Sequence, residues 1–316
     1  MQNNTPLTLP SRVPNTWRSL LVLVGFILVG MSVGNILAVL MLVKILGSGH
    51  EMASMDIINT LIRSPQDVPN GWYALLLLQA TAHVSTYLIP PLLYWHYIER
   101  RNLYDFRTRP FTQPTLWGLT LLVVLAFMPF NSLIIEWNAG MKLPEMLGGV
   151  ERWMRNQEDQ LARLTSFMTA FDTPVQLVVA MLVIGILPAI GEEVLFRGVL
   201  QRKLTEHWVN PQLAIWVAAA LFSAIHVQFY GFLPRLLLGA LFGYLYYWSG
   251  SLLIAIFAHF VNNGIMVLML YLYHRKLVDY NIEDNESVSW ESALASFVVT
   301  AALLYGIWRQ GRQRVA

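Results

Sequence analysis

The sequence predicts an all-α fold, a polytopic membrane helix bundle of about eight transmembrane helices plus an amphipathic interfacial helix. Three observations predict it. Of 316 residues, 56% are hydrophobic and only 13% charged, against about 25% charged in soluble domains. The mean hydropathy is +0.50, and apolar residues gather in runs long enough to cross a bilayer, joined by short polar stretches. One further stretch spaces its apolar residues at threes and fours among charges, as a helix with one apolar face does. Cysteine is absent, which excludes a thiol nucleophile, thiolate metal sites and disulfides. A formal net charge of +2 gives no reason to expect a nucleic-acid partner.

The first 17 residues are polar and carry only Arg12 as a charge. The apolar run behind them is too long for a signal-peptide core and reads as a retained span, about Arg18 to Leu46. Gly25, Gly30 and Gly34 on it permit close helix contact. A polar loop with Glu51, Asp56 and Asp67 leads to the second span, about Trp72 to Ile98, where Pro90 and Pro91 predict a kink. His83 in that span has no acid or histidine at helical spacing, and reads as a hydrogen-bonded packing residue. The third span, about Pro114 to Ile135, is interrupted at Met128 and Pro129.

Val150, Trp153, Met154, Leu161, Leu164, Met168 and Phe171 mark the amphipathic helix, expected on the membrane surface or capping the bundle. The fourth span starts near Pro174, passes Pro188 and Gly191, and ends in Gln201, Arg202 and Lys203. Pro211 opens the fifth, to about Phe229. The sixth runs from about Leu233 to Trp248, where Tyr244, Tyr246, Tyr247 and Trp248 suggest an interfacial aromatic belt. Ser249, Gly250 and Ser251 turn into the seventh, which ends near Tyr273. An acidic loop, Asp279 to Glu286, precedes the eighth, about Trp290 to Trp308, and the tail runs from Arg309 to Ala316.

Basic residues favour the cytoplasmic side of a membrane protein. With the N-terminus inside, that side receives Arg12, Arg18, Arg100, Arg101, Arg107, Arg109, Arg202, Lys203, Arg309, Arg312 and Arg314, while outer loops hold most of the acids. This predicts both termini in the cytoplasm and a multi-pass protein of the plasma (inner) membrane. Four regions follow: a polar cytoplasmic segment 1–17; N-terminal transmembrane helices with the amphipathic helix, 18–173; a helical core, 174–274; and a loop, last span and basic tail, 275–316.

The costliest stretch to bury is Ile190 to Leu200, where Glu192, Glu193 and Arg197 interrupt an apolar span. An ionised side chain near the bilayer centre costs at least roughly 2.5 to 3.5 kcal/mol, so these three need partners or water. Glu193 and Arg197 are four apart on a helix and can pair, whereas Glu192 points about 100° away. Glu192 is therefore the carboxylate left free for chemistry. Two further pairs use the same spacing, Phe222 with His226 and His259 with Asn263, each along one helix face. Measured along the helices, Glu192 lies roughly 15 Å in from Arg202, His226 roughly 21 Å in from Pro211 and His259 roughly 12 Å in from Ser251. All three can share one layer.

A carboxylate and two imidazoles in a partly dry cavity make either a general-base site or a metal site. In the first, the carboxylate and an imidazole share the proton of an attacking water. In the second, the same three groups match the ligand set of catalytic zinc. Asn263 can donate to a developing oxyanion in either case. Spacing alone does not choose between them.

The series Glu192-Glu193-x-x-x-Arg197, Phe222-x-x-x-His226 and His259-x-x-x-Asn263 resembles the three-motif pattern of the CPBP family, the CAAX protease and bacteriocin-processing intramembrane proteases. That family includes type II CAAX prenyl endopeptidases and bacterial members grouped under abortive infection or bacteriocin immunity. The resemblance covers about Val175 to Tyr273. It implies peptide-bond hydrolysis in the membrane, with Glu192 and His226 activating water and His259 and Asn263 stabilising the oxyanion. Glu193 would hold Arg197 and fix the helix, and Phe222 would orient the site. The implied partners are a membrane peptide or protein, or a lipidated CAAX-like one, within the lipid bilayer. No cofactor is favoured, because Asn263 is a poor zinc ligand. The metal-dependent alternative would place a divalent ion on His226, His259 and Glu192.

Other protease chemistries find little support. His50 and Glu51 begin like a zincin motif, but Ser54 stands where its second histidine belongs. Ser223 lies three residues before His226 and reads as bonding its own helix backbone rather than as a nucleophile. Two alternatives belong to other classes: a proton-coupled transporter that uses the same buried charges, with Glu192, His226 and His259 as a relay, and a non-catalytic immunity or binding protein that keeps this fold.

Overall fold

The computed structural model describes residues 16–46, 54–106, 114–208, 210–279 and 288–312, and within them all regular structure is helical. Arg12, His50, Glu51, Arg107, Arg109, Arg314 and the acidic loop beyond Asp279 lie outside the described residues. Among the described residues, seven helices are long and apolar enough to cross a membrane: α1 (Thr16–Leu46), α3 (Gly71–Ile98), α4 (Pro114–Ala139), α6 (Pro174–His207), α8 (Phe229–Ser249), α9 (Leu252–His274) and α10 (Trp290–Gln310). Between α6 and α8 lies the shorter apolar α7 (Pro211–Ala224). This gives an integral membrane bundle, with the fifth expected span present but ending before His226.

Two helices differ in kind. The polar loop after α1 contains α2 (Ser54–Arg63), which the sequence reading missed. The amphipathic α5 (Gly148–Thr169) forms as expected. Its Leu164, Phe167 and Met168 pack on α1, α2 and α3, and the Trp72 indole donates to the Met168 carbonyl at 2.9 Å. Along α1, Leu21, Val29, Ile36, Leu40 and Ile45 are all exposed, which is the face a helix turns to lipid. Gly30 and Gly34 permit the close packing expected of them, since a Cβ on either would strike Ser85 of α3. Gly25 differs, with open space where its Cβ would stand.

Proline is absorbed rather than breaking the helices. Around Pro90 and Pro91 the ladder of α3 widens: the Ile89 N–H reaches back five residues to the Val84 carbonyl, and the Glu99 N–H to that of Tyr94. In α4 the expected interruption at Pro129 does not occur, and one helix runs through it. There the Ser296 hydroxyl of α10 accepts from the Phe130 N–H at 2.9 Å and donates to the Ala126 carbonyl, standing in the ladder where it is opened. Gly250 turns α8 into α9 at φ 65°, a conformation suited to glycine.

The start of α1 and the ends of α3 and α6 converge at one end of the bundle. Glu99 accepts from Ser19 at 2.5 Å, Tyr94 at 2.6 Å and Lys203 at 2.7 Å. Arg101 binds Glu206 through two nitrogens, each at 2.8 Å. Burial pushes the Glu99 carboxyl up, but the Lys203, Ser19 and Tyr94 bonds outweigh it and hold the carboxyl below the usual carboxylate range. Of the aromatic belt expected at the end of α8, Tyr246 is buried while Tyr247 is exposed.

Candidate active site

The site is built on a weak point of α6. The Ile184 carbonyl would bond the N–H of residue 188, but Pro188 has none. The helix widens there, with the Leu187 N–H reaching the Leu182 carbonyl, and Asn263 of α9 donates to the Ile184 oxygen at 3.2 Å. One turn later come the two glutamates. Arg197 donates from Nη1 to Glu193 Oε1 at 2.6 Å and from Nη2 to the Gly239 carbonyl of α8 at 2.7 Å. Its guanidinium lies 4.8 Å from the Phe222 ring centroid. The expected Glu193–Arg197 pair is present, 0% and 1% exposed.

Glu193 does more than hold Arg197, as the sequence reading had it. Its Oε1 also accepts from His259 Nδ1 at 2.9 Å. The His259 ring stacks on Phe242 at 5.1 Å and turns its Nε2 toward Glu192 Oε2, 4.0 Å away. Glu192, 7% exposed, makes no bond to Arg197.

His226 stands beyond the end of α7, in a turn rather than on the expected helix face. Its Nδ1 donates to the Phe222 carbonyl at 2.8 Å, and its ring meets the Phe222 ring at 5.2 Å. Phe222 thus touches Arg197, His226 and, at 6.0 Å, His259. The Ser223 hydroxyl donates to the Phe232 carbonyl at 2.6 Å across the turn, not to its own helix. Val227 follows at φ 52°, a left-handed conformation that costs an L-residue roughly 1 to 2 kcal/mol. Beside this turn a cavity of about 390 Å³ is lined by Arg155, Glu158, Asp159, Tyr230 and Arg235, among others.

His83 is the residue that sequence reasoning misplaced. It is buried as expected, but its Nε2 has no hydrogen-bond partner and its Nδ1 lies 3.9 Å from Glu192 Oε1. No spacing signal reveals this, because α3 and α6 meet only in the fold.

The bonds fix which nitrogens carry protons. A carbonyl only accepts, so Nδ1 of His226 is a donor; Nδ1 of His259 donates wherever Glu193 is ionised, and a ring protonated on Nδ1 alone keeps its lone pair on Nε2. Both rings are therefore set to take protons. The same tautomers suit metal ligation, but among the described residues no three His, Asp or Glu side chains stand close enough together to hold an ion. Asn263 is committed in part, since its Nδ2 serves Ile184 and its Oδ1 accepts from Asn262 at 3.1 Å. One of its amide hydrogens stays free.

Residues 174–265 match the family model Rce1-like, described as type II CAAX prenyl endopeptidase Rce1-like. All three motifs lie inside that segment, so the resemblance drawn from them holds over it. The chain is also 30% identical over 113 residues to the uncharacterized protein YpbD of Bacillus subtilis (strain 168), covering 34% of this chain and 55% of that one. It thus spans about half the length of that curated relative. No solved structure matches.

Proposed function

We propose that this chain is an intramembrane endopeptidase that hydrolyses a peptide bond of a membrane-associated or lipidated polypeptide with water activated by Glu192. One observation carries the proposal: a buried carboxylate has an imidazole nitrogen 3.9 to 4.0 Å from each of its oxygens. Those distances are too long for direct hydrogen bonds, yet two atoms sharing one water stand about 4 to 4.5 Å apart.

Glu192 takes a proton from the water as its oxygen bonds to the peptide carbon, and the carbonyl pair moves onto oxygen. When that pair returns, the C–N bond breaks and the proton passes to the leaving amine. His259, held by Glu193, and His226, held by the Phe222 carbonyl, both present Nε2 as a proton acceptor. Between those two steps the proton on Glu192 can pass to His259 Nε2, 4.0 Å away, whose ring then donates to the oxyanion until the proton goes on to the amine, and the spare hydrogen on Asn263 serves the oxyanion as well.

Both termini on the cytoplasmic face fits the cluster of Arg18, Arg100, Arg101, Arg202 and Lys203, since these residues belong to helix ends joined by the Glu99 and Glu206 bonds. A metal-dependent version has the tautomers it needs, with Nδ1 tied down on both rings, but not the proximity, since among the described residues no three such side chains stand together.

The test uses purified protein in liposomes with quenched fluorescent peptides ending in cysteine, two aliphatic residues and a variable residue, farnesylated or not. Cleavage that Glu192→Gln abolishes while the protein stays folded is expected. Equal cleavage by wild type and Glu192→Gln overturns the reading, and would leave the transporter or binding class. Full activity with chelator, in protein free of metal by elemental analysis, removes the metal-dependent version.

A further inference from the structure

His83 sits on α3, outside the segment that matches the family model, and is 7% exposed. Its surroundings differ from those of His226, His259 and His274, whose Nδ1 atoms are all bonded, that of His259 to Glu193. His226 and His274 both place Nδ1 on the carbonyl four residues back, at 2.8 and 2.7 Å. His83 makes no such bond and turns Nδ1 to Glu192 Oε1 instead. Its Nε2 is buried without a partner, so Nδ1 is the ring's one polar outlet. A donor there complements an ionised carboxylate.

The approach is built into both helices. The ladder of α3 widens to five-residue spacing from Val84 to Leu88, directly after His83, and such widened turns recur at functional sites. Opposite stands Gly191, where a Cβ would come within 3.0 Å of His83 Nε2 and 3.3 Å of Tyr87 Cβ. Tyr87 backs the imidazole, with ring centroids 4.7 Å apart. A methyl there would press His83 or Tyr87 back by a few tenths of an ångström, and glycine avoids this.

We propose that His83 is a positioning residue of the hydrolytic site, orienting Glu192 Oε1 from Nδ1 across 3.9 Å, a separation that one shared water bridges, so that Oε2 faces His259. This rests on the peptidase reading above for its catalytic consequence, but the His83–Glu192 coupling does not. It makes the N-terminal half part of the site, with α3 supplying a third imidazole.

The experiment compares His83→Leu, His83→Asn and Glu192→Gln in the liposome assay, and follows thermal unfolding in detergent for the singles and for His83→Leu with Glu192→Gln. His83→Leu is expected to lower kcat on the order of 10²-fold with little change in KM, and His83→Asn, whose amide nitrogen replaces Nδ1, to recover most of it. The unfolding shifts of the two sites are expected to be non-additive. Wild-type kcat in His83→Leu, or equal losses in His83→Leu and His83→Asn, together with additive unfolding shifts, would overturn the proposal. If His83→Leu fails to fold, Gly191→Ala decides, since its methyl would press on the ring from 3.0 Å: a kcat loss at constant KM supports the role, and unchanged kcat sinks it. If Glu192→Gln cleaves normally the peptidase reading fails by itself, and the unfolding cycle still decides the contact.

Discussion

His259 Nδ1 lies 2.9 Å from Glu193 Oε1, a bond across 66 residues of sequence that ties α9 to α6. The same oxygen takes the Arg197 guanidinium, so one carboxylate both neutralises a buried cation and sets the tautomer of a candidate catalytic ring.

Glu193→Ala should therefore fail twice. It strands Arg197 in the bundle, which costs about 3 to 5 kcal/mol for a buried pair broken on one side, and it frees His259 to rotate. Glu193→Gln keeps the shape but loses the charge. Thermal unfolding in detergent should rank wild type, Glu193→Gln and Glu193→Ala in falling order, and peptide cleavage should fall by about 10²-fold or more in both variants. Equal stability of all three would contradict the assignment.

Asn263→Leu leaves the Ile184 carbonyl without its partner beside Pro188, a loss of about 1 to 3 kcal/mol. Asn263→Asp can no longer donate and should do no better at neutral pH. A variant that loses cleavage with unchanged unfolding would show that Asn263 serves the reaction alone and not the helix.

Ser296→Ala removes both bonds that bridge the Phe130 N–H and the Ala126 carbonyl of α4. About 1 to 3 kcal/mol of stability should go with it, while KM and kcat stay near wild type because the site lies elsewhere. Hydrogen exchange at Phe130 should rise.

Glu99 supplies a pH dependence. Its carboxyl is held below the usual range, so its bonds contribute fully above the unfolded-state value of about 4.3. That contribution is lost as pH falls through the lower folded-state value. Acid unfolding followed by tryptophan fluorescence should start at higher pH in wild type than in a Glu99→Gln variant corrected for its lower stability. Identical pH profiles would contradict the cluster.

Most of the fold was legible because apolar runs of bilayer length leave few alternatives, and α1, α3, α6, α9 and α10 fall close to the expected spans. What spacing along one helix determines was also legible: Glu193 beside Arg197, and Glu192 turned away. Contacts between helices were not. Ser296 filling the Pro129 break, Glu193 reaching His259 and His83 reaching Glu192 depend on which helices are neighbours, and period and hydropathy carry no such information. His226 shows a subtler limit, since the apolar residues after Ala224 gave no sign that the chain would turn at Val227.

The short α7 has one more consequence. At 1.5 Å per residue its 14 residues rise about 21 Å, against a hydrocarbon layer about 30 Å thick. A helix of that length ends about 9 Å short of a full crossing, at the turn that carries His226 and Gln228 and adjoins the cavity lined by Tyr230 and Arg235. A hydrolase consumes one water for every bond it cuts, and hydrocarbon holds almost none. For the peptidase proposed above, a helix that stops short of a full crossing would shorten the path water has to travel to reach Glu192.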